Sequence, residues 1–135
     1  MDVGQTHTEH IEITPELVAG FAKISGDYNP IHLDAEYARG TPFGKPIAHG
    51  MLTSALLSGI VGTRFPGAGT ILLEQGLTYK KPVFVGDKVL FKLVVSNVRP
   101  DKPIVTIDCT ILSPSGEVTA EGEVVVKIPR GSTIG

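Results

Sequence analysis

Four consecutive segments, at about residues 70–81, 88–98, 104–112 and 118–128, place apolar residues at every second position. They follow a helix-length segment, 47–62, that is apolar on nearly every side. A period of two marks strands with one face buried, and turns rich in Pro, Gly, Ser and Asp between them mark an antiparallel sheet. A helix without a polar face belongs inside a protein. One such helix and a sheet of about five strands hide the helix flanks only if the sheet curls around it. The expected fold is therefore α+β of the hot-dog type, a curled antiparallel sheet wrapped around a central buried helix. A single curled sheet keeps free edges and leaves part of the helix uncovered, so a homodimer is expected as well.

The strand faces are specific. Residues 70–81 put Ile71, Leu73, Leu77 and Tyr79 together, 88–98 put Val89, Phe91, Leu93 and Val95 together, and 104–112 do the same with Val105, Ile107, Cys109 and Ile111. In 118–128, Glu117, Thr119, Glu121 and Glu123 are expected to face outward. Upstream, residues 9–13 alternate and suit a short strand. Thr14-Pro15-Glu16 then opens a helix, with Thr14 as N-cap, Pro15 at the first helical position and Leu17, Val18, Phe21 and Ile24 on one face, until Gly26 stops it. Residues 26–46 are broken by Pro30, Gly40, Pro42, Gly44 and Pro46, and an irregular stretch of that length inside a small domain is a place to look for function.

With 135 residues and 41% hydrophobic content, the chain suits one domain, taken as residues 1–129, with an unpatterned and disordered tail at 130–135. Its 12 basic and 14 acidic residues are scattered and sum to −2, which gives no footprint for nucleic acid or an anionic membrane and favours a small ligand. Segment 47–62 falls short of the ~20 residues that span a bilayer and carries His49, Thr53, Ser54 and Ser58, so no membrane partner is expected. One cysteine, Cys109, fits apolar filling of a strand and a reducing compartment. Residues 1–5 lack a basic start and an apolar run, and the expected location is cytoplasmic.

Chemistry concentrates in Ser25-Gly26-Asp27-Tyr28-Asn29-Pro30-Ile31-His32. A carboxylate and an imidazole five residues apart, with Asn-Pro turning the chain between them, can converge on one water for general acid/base work. Ordinary turn formation explains Gly-Asp and Asn-Pro equally well when the motif is taken alone. His49-Gly50-Met51 falls at the start of the apolar helix, where unpaired N–H groups and the dipole polarise a carbonyl. Gly50 suits either close ligand approach or tight packing. His49 reads first as a hydrogen-bonded structural histidine, and Ser58 as a helix serine bonded to its own backbone. The four histidines and one cysteine show no metal-ligand spacing, and no nucleophile elbow or phosphate-binding glycine motif is present. Arg39, Lys45, Arg64, Lys80 and Lys81 receive no assignment.

Taken together, residues 21–32, Pro46-Ile47-Ala48-His49-Gly50-Met51, Leu57-Ser58-Gly59, the Lys81-to-Asp87 stretch and the final strand resemble the MaoC-like hydratase family, in particular its single-domain (R)-specific enoyl-CoA hydratases. The Gly-Asp-x-Asn-Pro-x-His arrangement is that family's hydratase motif, complete here from Gly26 to His32. The resemblance implies Asp27 and His32 as catalytic residues that hold one water, with the thioester carbonyl on the Gly50 N–H. It implies Asn29, Ser58 and His49 at the substrate site. It also implies an acyl-CoA thioester as substrate, syn hydration to an (R)-3-hydroxyacyl-CoA, and neither cofactor nor metal. The competing readings are a (3R)-hydroxyacyl-ACP dehydratase, a hot-dog thioesterase and a non-catalytic acyl-CoA binding module.

Overall fold

Alternation carries straight through two strands of the computed structural model, which describes residues 1–129. The expectation for residues 130–135 lies outside the described residues. The elements are β1 (Thr6–Glu12), α1 (Pro15–Ser25), α2 (Pro30–Leu33), α3 (Ala35–Arg39), α4 (Gly50–Thr63), β2 (Ile71–Tyr79), β3 (Lys88–Val98), β4 (Ile104–Leu112) and β5 (Val118–Lys127). They build one sheet in the order β1-β3-β4-β5-β2, every neighbour antiparallel. The two end strands do not pair with each other, so the sheet wraps α4 without closing into a barrel.

β3 buries Val89, Phe91, Leu93 and Val95, and β4 buries Val105, Ile107, Cys109 and Ile111, as their alternation dictates. These side chains join Leu52, Leu57, Ile60 and Val61 of α4 in one core. Each fully buried large side chain adds ~1.5–3 kcal/mol from water exclusion, which is why this register is the stable one. A one-residue slip would turn the whole set to solvent. Burial pushes the Cys109 thiol up to about 12, with the nearby Asp108 and Glu123 charges adding to it. The thiolate is therefore absent at neutral pH, and a disulfide reagent such as DTNB is expected to leave Cys109 untouched until the protein unfolds. Rapid labelling of the folded protein would contradict that placement.

Alternation fails where strands bulge. In β2 the pairing steps from Leu72↔Val126 to Glu74↔Val125, leaving Leu73 as the extra residue. The bulge reverses the face, so Ile71 and Leu73 are exposed while Leu77 points inward, and the expected face of Ile71, Leu73, Leu77 and Tyr79 does not exist. A second shift, between Ile111↔Ala120 and Leu112↔Val118, makes Thr119 the extra residue of β5. Thr119 was expected outside but is 2% exposed, its hydroxyl donating to the Ile111 carbonyl at 3.0 Å.

Helices follow their caps. Thr14 accepts from the Leu17 N–H, Pro15 begins α1, and Gly26 closes it in the left-handed region at φ 78. The buried stripe runs through Val18 and Ala22, and Ile24 is 82% exposed. At about 3.6 residues per turn, Ile24 lies roughly 120° from Val18 and misses the core. α4 begins at Gly50, because Ile47 instead bridges to Phe84 and the Ala48 N–H donates to the Val83 carbonyl. The helix is also not buried all round: Met51 is 60% exposed and Ala55 and Ser58 are exposed with it, because the sheet covers only one side. Among the described residues, no helix is long and apolar enough to cross a membrane.

Candidate active site

The stretch expected to be irregular holds two short helices, and these aim the motif. Asn29 caps α2, its side-chain oxygen accepting from the Ile31 N–H at 3.3 Å, and Pro30 takes the first helical position. Asp34 ends α2 and caps α3, accepting from the Glu36 and Tyr37 N–H groups. Ahead of them Ser25 Oγ donates to the Phe21 carbonyl and accepts from the Asp27 N–H, while Asp27 Oδ1 accepts from the Asn29 N–H at 3.1 Å. Asp27 is thereby held at the mouth of the loop and open to solvent. Asn29 shapes the turn through its Oδ1.

His32 lies one turn into α2, where its Nδ1 donates to the Ile47 carbonyl at 2.7 Å. A carbonyl only accepts, so in the neutral ring Nδ1 carries the proton and Nε2 keeps its lone pair. By the same logic His49 Nε2 donates to the Asp27 backbone carbonyl at 3.0 Å. His49 is 2% exposed, stacks on His32 with ring centroids 3.9 Å apart at 29°, and meets Phe21 at 4.9 Å on its other side. It thus fixes both the backbone of Asp27 and the plane of His32. One ring nitrogen of each histidine and a carboxylate oxygen of Asp27 lie within 4.8 Å of one another.

Directly after His49 comes the first turn of α4. No side chain caps it, and the Gly50 N–H has no hydrogen-bond partner among the described residues. The Tyr79 ring lies against the Gly50 α-carbon, and a β-carbon there would come within 3.1 Å of it. A cavity of about 360 Å³ opens on this side between Gly50, Thr53, Tyr79, Lys80, Pro82 and Phe43. Asp27 and His32 do not line it, but His49 does and joins it to them. A carboxylate, an imidazole lone pair and an uncapped helix N-terminus beside a cavity equip this region for proton transfer next to a polarised carbonyl.

Residues 2–112 match the model of the MaoC like domain. The chain belongs to the MaoC-like family. Over 129 residues this MaoC-like chain is 44% identical to an (R)-specific enoyl-CoA hydratase of Aeromonas caviae, covering 96% of each protein. It is 42% identical to a 3-hydroxybutyryl-CoA dehydratase of Methylorubrum extorquens, over 96% of this chain and 82% of the relative. The solved structure of an (R)-hydratase from A. caviae involved in PHA biosynthesis superposes with a TM-score of 0.93 at 44% identity, covering 96% of this chain and 98% of the other.

Ser58 stands apart from the dyad region of the MaoC-like domain. It lies two turns beyond Gly50 on the open side of α4, in a second groove walled by Phe21, Met51, Leu72, Leu77 and Tyr79. Two neighbours of Gly50 escaped the reading of the sequence. Tyr79 spans both cavities, and its hydroxyl is hydrogen-bonded to Ser54 Oγ. Ser54 is one turn along α4 from Gly50, a spacing visible in sequence, but its pairing with Tyr79 depends on the β2 bulge that sequence does not reveal. Lys80 and Lys81 pair with Glu121 and Glu117 at the surface, an arrangement that contributes little to stability.

Proposed function

We propose that the chain is an (R)-specific enoyl-CoA hydratase, a hydro-lyase of fatty acyl-CoA metabolism acting reversibly on trans-2-enoyl-CoA. The observation that carries this reading is the gathering of the Asp27 carboxylate with the His32 and His49 rings, next to a Gly50 N–H that has no partner among the described residues. The names of the A. caviae and M. extorquens relatives support it.

In this reading Asp27 and His32 hold one water between them. The water oxygen forms a bond to C3 as the C2–C3 π pair shifts toward the thioester, and the water proton passes to the dyad. A proton from the dyad then forms the C2–H bond on the same face, giving the (R)-3-hydroxyacyl thioester. The Gly50 N–H stabilises the developing enolate oxygen, a contact worth roughly 3 kcal/mol for one donor. The thioester carbonyl serves as the electron sink, so the step needs neither cofactor nor metal. Asn29 and His49 position the dyad, and Ser58 lies along the groove toward the acyl chain.

The functional unit is a cytoplasmic homodimer of the single domain 1–129. β2 is an edge strand with Ile71, Leu72 and Leu73 exposed, next to the bare face of α4. Such an edge requires cover, and a second copy supplies it. Sedimentation should give twice the chain mass, and Leu72→Lys should shift the protein toward monomer; a wild-type monomer would contradict the dimer.

The hydration test is the loss of enoyl-thioester absorbance on adding purified protein to crotonyl-CoA. Turnover supports the reading. Activity confined to acyl carrier protein thioesters would replace it with the dehydratase of fatty-acid synthesis. Free thiol released from a saturated acyl-CoA would replace it with a thioesterase, and binding without turnover would leave only an acyl-CoA binding module.

A further inference from the structure

An α-helix turns about 100° per residue, so the residues of α4 sort by angle around its axis. With Gly50 as reference, Thr53 lies about 60° to one side, and Ser54, Ser58, Met51 and Ala55 follow on the other at about 40°, 80°, 100° and 140°. Gly50 and Thr53 face the cavity of about 360 Å³, while the other four face the groove, of about 550 Å³. The two spaces therefore occupy neighbouring faces of one helix, with Ser54 on the ridge between them. Among the described residues, Tyr79 is the one that lines both. Its ring lies against the Gly50 α-carbon, so close that a β-carbon there would come within 3.1 Å. Its hydroxyl donates to Met51 Sδ at 3.4 Å, which leaves Ser54 Oγ to donate to the phenol oxygen. From the same strand, Gln75 Nε2 donates to the Ser54 carbonyl at 2.9 Å, fastening β2 to the ridge a second time.

We propose that the Tyr79 ring is a specificity-determining wall, which keeps the space beside Gly50 apart from the groove beside Ser58 and so restricts the site to short acyl chains. The proposal deepens the hydratase reading and rests on its placing of the thioester carbonyl at the Gly50 N–H. From that point an acyl chain reaches the groove only by passing Tyr79. The groove beyond has apolar walls in Phe21, Leu72 and Leu77, so cover for a longer chain exists once the ring is gone. Each methylene that gains such cover strengthens binding about fourfold, and each one held in water gains nothing. The three contacts to Gly50, Met51 and Ser54 hold the ring across the passage even though Tyr79 is 46% exposed.

The test compares kcat/KM for crotonyl-CoA and trans-2-octenoyl-CoA, because a variant that is merely less stable loses both in proportion. The wild type should favour crotonyl-CoA. Tyr79→Ala should raise the octenoyl-to-crotonyl ratio by about tenfold or more, whereas Tyr79→Phe, which keeps the ring, should stay within about threefold of the wild-type ratio. Tyr79→Val suits a strand and keeps the test sound if Tyr79→Ala does not fold. An unchanged ratio in the Ala and Val variants, or a Phe variant shifted as far as Ala, would overturn the wall. Titration calorimetry with butyryl-CoA and octanoyl-CoA reads the same wall without turnover, and the same shift in ratio is expected. That shift in a protein that hydrates no enoyl thioester would sink the hydratase reading and leave the wall standing. Failure both to hydrate and to bind these thioesters would overturn the two together.

Discussion

Asp27→Asn should lower enoyl-CoA hydration by about 100-fold or more while leaving thermal unfolding nearly unchanged. The amide oxygen can still accept from the Asn29 N–H, and the backbone carbonyl that receives His49 Nε2–H is not altered, so the loop keeps its shape. The change removes the negative charge beside the His32 ring. His32→Ala should cost a similar factor, and the double variant should be little worse than either single one, because groups that act on one water are lost together. Steady-state turnover of crotonyl-CoA with melting curves for the three variants checks this. Near-normal turnover in Asp27→Asn would remove Asp27 from the chemistry.

The largest expected effect on stability sits away from the site. Gly122→Ala should destabilise the fold by about 3 kcal/mol, at the upper end of ordinary overpacking. In β5, Gly122 pairs with Leu77 across the β2 edge and with Cys109 on its other side. A β-carbon at 122 would run into the Gly76 carbonyl, a backbone atom that can yield only if β2 pulls away. The sheet coils most tightly where glycine permits such close approach, and β2 carries Leu77 and Tyr79, which face the core and Gly50. A melting temperature lower by roughly 10 °C is the expected reading. An unchanged melting temperature would mean that the two strands are less closely apposed at this point.

How far the sequence carried the fold depended on whether each rule was local. The inward faces of β3 and β4 were legible because their alternation is unbroken where it matters, and Thr14, Pro15 and Gly26 marked α1 at both ends. Leu73 and Thr119 were misread because a bulge adds one residue without any chemical mark at that residue, and each bulge overturns the facing that parity assigns. α2 was within reach: Asn29-Pro30 repeats the cap-then-proline signal of Thr14-Pro15 and passed unread amid the surrounding glycines and prolines. The bare side of α4 was not legible, since an apolar residue left exposed looks the same in sequence as one facing a core.

The site divides along the same line. Asp27 and His32 are five residues apart, and Asn-Pro between them makes a short turn, so their convergence was a local matter. His49 joins them from 22 residues beyond Asp27 by way of a hydrogen bond to a backbone carbonyl, and no side-chain pattern encodes that. Its hydrogen bond to the Asp27 carbonyl and its ring contact with His32 place it beside both residues as well as on the cavity wall. Ser58 shows the reverse. Its helix spacing from Gly50 is plain, yet the structure directs it to a different groove.

In the proposed mechanism one face of the alkene meets a single carboxylate–imidazole pair. Hydrating crotonyl-CoA in D2O and determining the configuration at both carbons of the product tests this most directly. (R)-3-hydroxybutyryl-CoA with deuterium at C2 added to the same face as the new hydroxyl is the result expected. The (S) alcohol, or deuterium on the opposite face, would show that Asp27 and His32 do not deliver water and proton from one side, and would contradict the mechanism.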